Sequence, residues 1–431
     1  MDTRVGVVGM GYVGLTLAVT LAQKGLTVYG VDVAPAVVAA LRTGRAHIFE
    51  PGLDEGLSGE AGRRLHVAET LPESGVDAVI ICVSTPVDPA THAPDLRNLR
   101  EAARHVAERC EPGTLVVVRS TVPVGASRAV VLPEILARWG RARLAFAPER
   151  TIQGQALREL QELPQVVGGL DPASRDAAAA LFARVTDRIV TVASLEAAEL
   201  VKLVNNCHTD LIYSYGNEVA LLAERWALDP LEVIRAANLD YPRPDLARPG
   251  FVGGGCLSKD PYILMSAAEA AGYRPWLIGQ ARGLNEHLPV HVAERLVTLI
   301  RETRGSAEGA TLAVLGWAYK GWPPTDDMRG SAVPPMLPLF RAAGLTVRGH
   351  DFLVAPGVIR GLGASPLPPE AAFAGADAVL VVTNHPDYAK LDLPSLLPTL
   401  RRPAVLFDCW RILDEESIVA SGVRYAGIGH G

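Results

Sequence analysis

The chain has 431 residues, 49% of them hydrophobic, with a formal charge of -6 at pH 7 and no long basic run. That length exceeds one ordinary core and predicts two or three domains. The charge argues against nucleic acid or an anionic membrane surface as a partner, so local groups must hold any phosphate-bearing ligand.

Residues 4–9, "RVGVVG", form a β-branched run that ends in glycine and feeds the apolar helical pattern "GLTLAVTLAQKG". Strands follow at 26–32, 77–84, 113–121 and 143–149, with helical stretches such as "NLREAARHVAER" between them. Strands apolar throughout and alternating with helices signal a parallel sheet covered on both faces. From Ser194 the pattern becomes one long helix, and more helix reaches residue 300 around a Pro-rich break at 240–255. A second strand-helix series begins at 311–319 and continues at 345–351, 377–383 and 404–410. The expected architecture is α/β, with two Rossmann-like doubly wound parallel-sheet domains (1–193 and 301–431) joined by a central long-helix domain (194–300).

Gly9, Gly11 and Gly14 spell G-x-G-x-x-G between a strand and a helix. The first glycine permits the tight turn, the second lets a pyrophosphate approach the backbone, and the third lets helix and strand pack closely. The helix start supplies N–H groups and a positive dipole end for phosphates. Tyr12 and Val13 lie inside the same turn, and Asp32 ends the next strand, where a carboxylate bonds a ribose and repels a 2′-phosphate. NAD is therefore expected over NADP. Ser84 and Thr85, then Ser120 and Thr121, follow later strands, at the ends where such sheets bind ligands. Each is a candidate to line the nicotinamide side, or equally a helix cap.

The five cysteines are scattered, odd in number and without a C-x-x-C pair, which argues against a disulfide framework and against a metal site. Reduced thiols, a first strand close behind Met1 and no apolar run long enough for a bilayer predict a soluble, cytoplasmic protein.

Taken in order, "GMGYVGL", "STPVD", "STVPVG", "APER", "ELVKLVNN", "GGGCLSKDPY" and "YKGWPPTDDMRGS" make the chain resemble, over essentially its whole length, the nucleotide-sugar 6-dehydrogenases. These enzymes oxidise a sugar C6 alcohol to a carboxylate with two NAD. The resemblance implies a nucleotide-sugar partner, dimerisation through the central helix and a C-terminal nucleotide-sugar-binding domain. It makes Cys256 the nucleophile that holds the aldehyde as a thiohemiacetal and then a thioester, and the glycines before it, Gly253 and Gly254 among them, are expected to let sugar and nicotinamide approach. It places Lys202 and Asn206, four apart on one helix face, against the reacting sugar, with the lysine stabilising an alkoxide. Glu199 and Asp210 on the same helix are expected on a solvated outer face. Asp260 matches an aspartate assigned to water activation or proton transfer, and it also makes a good N-cap before Pro261.

Glu149 matches a glutamate proposed for thioester hydrolysis, Arg150 follows it as a substrate contact, and Thr121 belongs to the catalytic set. Lys320 is implied to contact substrate and Arg329 to bridge toward the cofactor, while the doubled prolines at 323–324 depart from the pattern. "APER…ELPQVVGG" and "YPRPDLARPGFVGGGC" favour a UDP-N-acetylhexosamine, manno over gluco, with Arg243 reaching a neighbouring subunit's substrate. Lys259 in "CLSKDP" is instead usual in the UDP-glucose enzymes, which makes UDP-glucose the alternative. A two-electron hydroxyacid dehydrogenase needs neither the cysteine nor the C-terminal α/β part.

Overall fold

A computed structural model describes residues 3–73, 75–240 and 245–431. Two compact units share the chain, Met1–Asn206 with Lys259–Pro275, and Cys207–Ser258 with Trp276–Gly431. The long helix, Leu195–Arg225, therefore begins in the first unit and continues in the second. Its sequence carries no proline and a single glycine, so nothing stops it for 31 residues.

The first unit holds an eight-stranded sheet: β1 (Arg4–Val8), β2 (Thr27–Val31), β3 (Leu65–Ala68), β4 (Ala78–Ile81), β5 (Leu115–Val118), β6 (Arg143–Phe146), β7 (Gln165–Gly169) and β8 (Ile189–Thr191). Its order is β3-β2-β1-β4-β5-β6-β7-β8. Successive strand residues point to opposite faces, and both faces are covered. Val7, Ile80 and Val117 enter one core, whereas Val8, Val79, Ile81 and Val118 enter the other. The sheet departs from expectation at β7, which runs antiparallel to β6 through Ala145↔Gly169 and Phe146↔Gly168. The connection between them carries only a seven-residue helix, Ala156–Glu162, and an antiparallel neighbour needs no crossover over the sheet face.

The second unit repeats the order with six parallel strands: β9 (Thr311–Leu315), β10 (Thr346–His350), β11 (Ser365–Pro366), β12 (Ala378–Val381), β13 (Val405–Asp408) and β14 (Arg424–Ala426). They run β11-β10-β9-β12-β13-β14. Val314 and Leu380 pack on one face with the second long helix, Leu277–Arg304; Leu315 and Val379 pack on the other. In each sheet the direction of winding reverses beside the first strand, which is where ligand crevices form.

Candidate active site

The turn after β1 is built as a nucleotide cradle. Gly9 has φ +93°, a conformation costly for any other residue, and a Cβ on Gly14 would stand 1.8 Å from the Gly9 carbonyl oxygen. A Cβ on Gly11 would meet nothing within 4 Å, so that side of the turn is open. The helix Tyr12–Gln23 starts there with no side chain capping it, which leaves its first N–H groups for an anion. Asp32 is fixed at the end of β2 by the N–H groups of Met10 and Ala34, both at 2.9 Å. Glycine cradle, uncapped helix and anchored carboxylate together fit a dinucleotide without a 2′-phosphate.

Val13 packs against the core beneath the turn, and Tyr12 is committed inside the protein. Its hydroxyl donates to Glu50, whose carboxylate also accepts the N–H groups of Gly154 and Ala156, both at 2.7 Å. Burial, and then Glu50, push the Tyr12 phenol far up. Glu50 lies in no recognised motif, and only the structure shows that it ties the loop after Glu149 to the nucleotide turn.

The hydroxyls of Thr85 and Ser120, at the carboxyl ends of β4 and β5, join neighbouring loops. Thr85 donates to the Thr121 carbonyl at 2.5 Å, and Ser120 to that of Val83 at 2.7 Å. Ser84 is exposed and accepts from Asn98. Arg150 is exposed and donates to the Pro164 carbonyl.

Four predicted polar residues of the first unit form two contacts. Lys202, 5% exposed, meets the buried Glu149 at 3.5 Å. Asn206, one helical turn on, donates to Asp260 at 2.5 Å, and Lys259 bonds the other oxygen of that carboxylate at 2.7 Å. Asp260 is fully buried. It lies inside the first turn of its helix, Asp260–Ala270, and caps nothing: both of its oxygens serve Asn206 and Lys259. Burial pushes the Glu149 carboxyl up, but Lys202, Arg119 and the Thr151 contact outweigh burial, and the net shift is down. Arg119, buried beneath this loop, donates to the Ala147 carbonyl and to Gln165.

The expected solvated face of the long helix is not solvated at Glu199 or Asp210. Both are buried. Glu199 accepts the N–H groups of Gly125 (2.5 Å) and Ser127 (2.9 Å), just beyond the Ser120–Thr121 loop. Asp210 pairs with the buried Arg282 at 2.7 Å. A helix stripe alone does not distinguish solvent from buried partners that are distant in sequence.

In the second unit, Cys256 is exposed, in a short helical turn, Gly254–Leu257. Cys82, Cys110, Cys207 and Cys409 are buried. Each preceding glycine makes room for this unit's own chain. A Cβ on Gly253 would lie 2.0 Å from the Gly330 carbonyl oxygen, one on Gly254 would lie 2.8 Å from the Tyr319 ring, and one on Gly255 would lie 2.6 Å from the Arg329 guanidinium carbon. The Gly254 N–H donates to the Arg329 carbonyl. Asp327 holds the Arg329 guanidinium through both carboxylate oxygens, and Lys320 sits 5.5 Å from the centroid of the Tyr319 ring. Arg243 lies outside the described residues. Among the described residues no cluster of His, Cys, Asp and Glu could hold a metal ion, and no helix is long and apolar enough to cross a membrane.

Three family models match in succession: the UDP-glucose/GDP-mannose dehydrogenase family NAD binding domain at 3–186, its central domain at 196–287 and its UDP binding domain at 313–415. A UDP-N-acetyl-D-mannosamine dehydrogenase of Pyrococcus horikoshii is 33% identical over 438 aligned positions, covering 99% of each chain. A solved UDP-D-ManNAc dehydrogenase structure from the same organism superposes with a TM-score of 0.89 at 32% identity over the whole of both chains. A UDP-glucose dehydrogenase structure from Pyrobaculum islandicum gives 0.86 at 30% identity, covering 100% of this chain and 98% of the other.

Proposed function

The chain belongs to the UDP-glucose/GDP-mannose dehydrogenase family, whose members are NAD-dependent oxidoreductases of nucleotide sugars, and from that premise we propose that it oxidises the C6 hydroxyl of a UDP-N-acetylhexosamine to the carboxylate. The observation that carries the reading is the exposed Cys256, set in a glycine turn while the other four cysteines are buried. UDP-N-acetylmannosamine is the preferred substrate, in keeping with the names of the relatives from Pyrococcus horikoshii. Lys259, bonded to Asp260, supports UDP-glucose as the second reading.

NAD supplies the hydride acceptor for two oxidations, and Gly9, Gly11, Gly14 and Asp32 would hold it, with Arg329 as a further contact. The alcohol first loses a hydride and its hydroxyl proton to become an aldehyde. The Cys256 thiolate then forms a C–S bond to the aldehyde carbon, and the carbonyl oxygen takes up a proton. Loss of a second hydride and of that proton leaves the thioester. Water adds, the C–S bond breaks, and carboxylate and thiolate are released. Lys202 offsets negative charge on the reacting oxygen. Glu149, held ionised, and the Asn206–Asp260 pair orient and deprotonate water. Lys320 and Arg150 bind the substrate's polar groups. The working form is a homodimer joined through the long helix, and both reactants place it in the cytoplasm.

NADH release across UDP-N-acetylmannosamine, UDP-N-acetylglucosamine, UDP-glucose and GDP-mannose tests the reading. The expected yield is two NADH per nucleotide sugar, highest in rate with the manno substrate. One NADH with free aldehyde would refute the thioester route. Cys256→Ser is expected to lower acid formation by about a thousandfold or more.

A further inference from the structure

Arg282 lies in the second long helix, outside the motifs quoted from the sequence, and is 2% exposed. Its guanidinium donates to the Leu257 carbonyl at 2.9 Å and to the Val252 carbonyl at 3.3 Å. Those two carbonyls flank Gly253–Cys256, so one side chain holds both ends of the thiol turn. Asp210, on the long helix, receives the same guanidinium at 2.7 Å. Asn285 donates to the Asp210 carboxylate (2.9 Å) and to its backbone carbonyl (3.0 Å). Asn217 in turn donates to Asn285 at 2.9 Å and accepts the N–H of Gly250 at 2.8 Å, which reaches the turn from its upstream side. Asp210, Asn217, Arg282 and Asn285 are all buried, in one continuous hub that joins two helices to the loop of residues 250–257.

A buried ion pair seldom adds net stability over apolar packing, so its cost calls for another return. A planar fork with several donors suits that return, since it fixes two carbonyls and a carboxylate in one geometry where a lysine offers a point charge. We infer that Arg282 is the positioning residue of Cys256, with Asp210, Asn285 and Asn217 holding Arg282 in turn. The glycines of the turn are accommodating and supply no rigidity of their own. The hub supplies it, and a reacting atom displaced by about 1 Å costs on the order of a hundredfold in rate. This rests on the role of Cys256 proposed above.

The test is Arg282→Lys in the full chain, with steady-state kinetics and hydrogen exchange read by mass spectrometry. The expected result is a fall in kcat on the order of a hundredfold, with KM for NAD and for the nucleotide sugar within about threefold of the parent. Exchange is expected to rise in peptides spanning 250–258 and to stay unchanged in the peptide covering 311–315. Unchanged kcat in a folded variant overturns the proposal, and so does faster exchange spread over both peptides, which marks a general structural role. Should Arg282→Lys fail to fold, Asn217→Ser, which frees the Gly250 N–H, is read by the same measurements and decides in the same way. Cys256→Ser is run beside them. If it still forms acid, the thioester reading falls, while local exchange in the Arg282 variant still reports whether the hub holds the turn.

Discussion

Glu149 sits buried between the charges of Lys202 and Arg119, and its ionisation is the local electrostatic fact with the clearest consequence. Burial alone would push its carboxyl up, and the cations and Thr151 bring it below the ordinary range. A carboxyl with a lower pKa folded than unfolded adds stability that is present above the unfolded value and is lost as pH falls through the folded one. Glu149→Gln keeps the volume and leaves two buried cations uncompensated. It is expected to cost about 3 kcal/mol at neutral pH. Urea midpoints measured between neutral and acid pH should show the gap to the parent closing on acidification; a constant gap would contradict the assignment. At this scale the sequence was most informative where a motif tied residue type to chemistry, as at Asp32 and Cys256. It was silent on Glu50 and Arg282, and misleading on Glu199 and Asp210, because each takes its meaning from a partner 70 or more residues away.

The glycine run before Cys256 shows what an element adds to its residues. Its three glycines are not equivalent, because the atoms each one admits differ in how far they can yield. An alanine at Gly253 would press on the Gly330 carbonyl, which is backbone, whereas one at Gly255 would press on the Arg329 guanidinium, the end of a flexible side chain. Gly253→Ala is therefore expected to destabilise by about 1–3 kcal/mol. Gly255→Ala should stay within about 0.5 kcal/mol of the parent, since the guanidinium can swing aside. Urea melts of the two variants decide the point, and equal costs would mean that the turn yields as a whole. The strands with continuous apolar runs were legible from the sequence, and β7 and β8 were not. Gln165–Gly169 ends in two glycines, and Ile189–Thr191 is three residues long, so neither carries a run that stands out before its neighbours are known.

The two sheets share a strand order, yet one first turn is built for a dinucleotide and the other is not. In the second unit the N–H groups of Trp317 and Ala318 are taken by Asp351, and no helix opens until Val333, so the turn after β9 offers no anion site at a helix start. Of the two first turns, the one in the first unit alone is built as a dinucleotide cradle, where the sequence places Gly9, Gly11 and Gly14.

The long helix raises a different question, because it leaves Leu200, Val204, Tyr215 and Leu222 exposed. Intervals of three, four and their sums place such positions along one face, and exposed apolar residues gathered on one helix face mark a protein–protein interface. The proposed homodimer would cover it. Leu222→Glu puts a charge on that face, where burial without a partner costs several kcal/mol. Sedimentation velocity is expected to give twice the chain mass for the parent and the single chain mass for the variant at low micromolar concentration. The variant should keep the parent's far-ultraviolet circular dichroism, because the side chain is exposed within its own chain. A parent that sediments as one chain, or a variant that still sediments as two, would remove the long helix as the dimer contact.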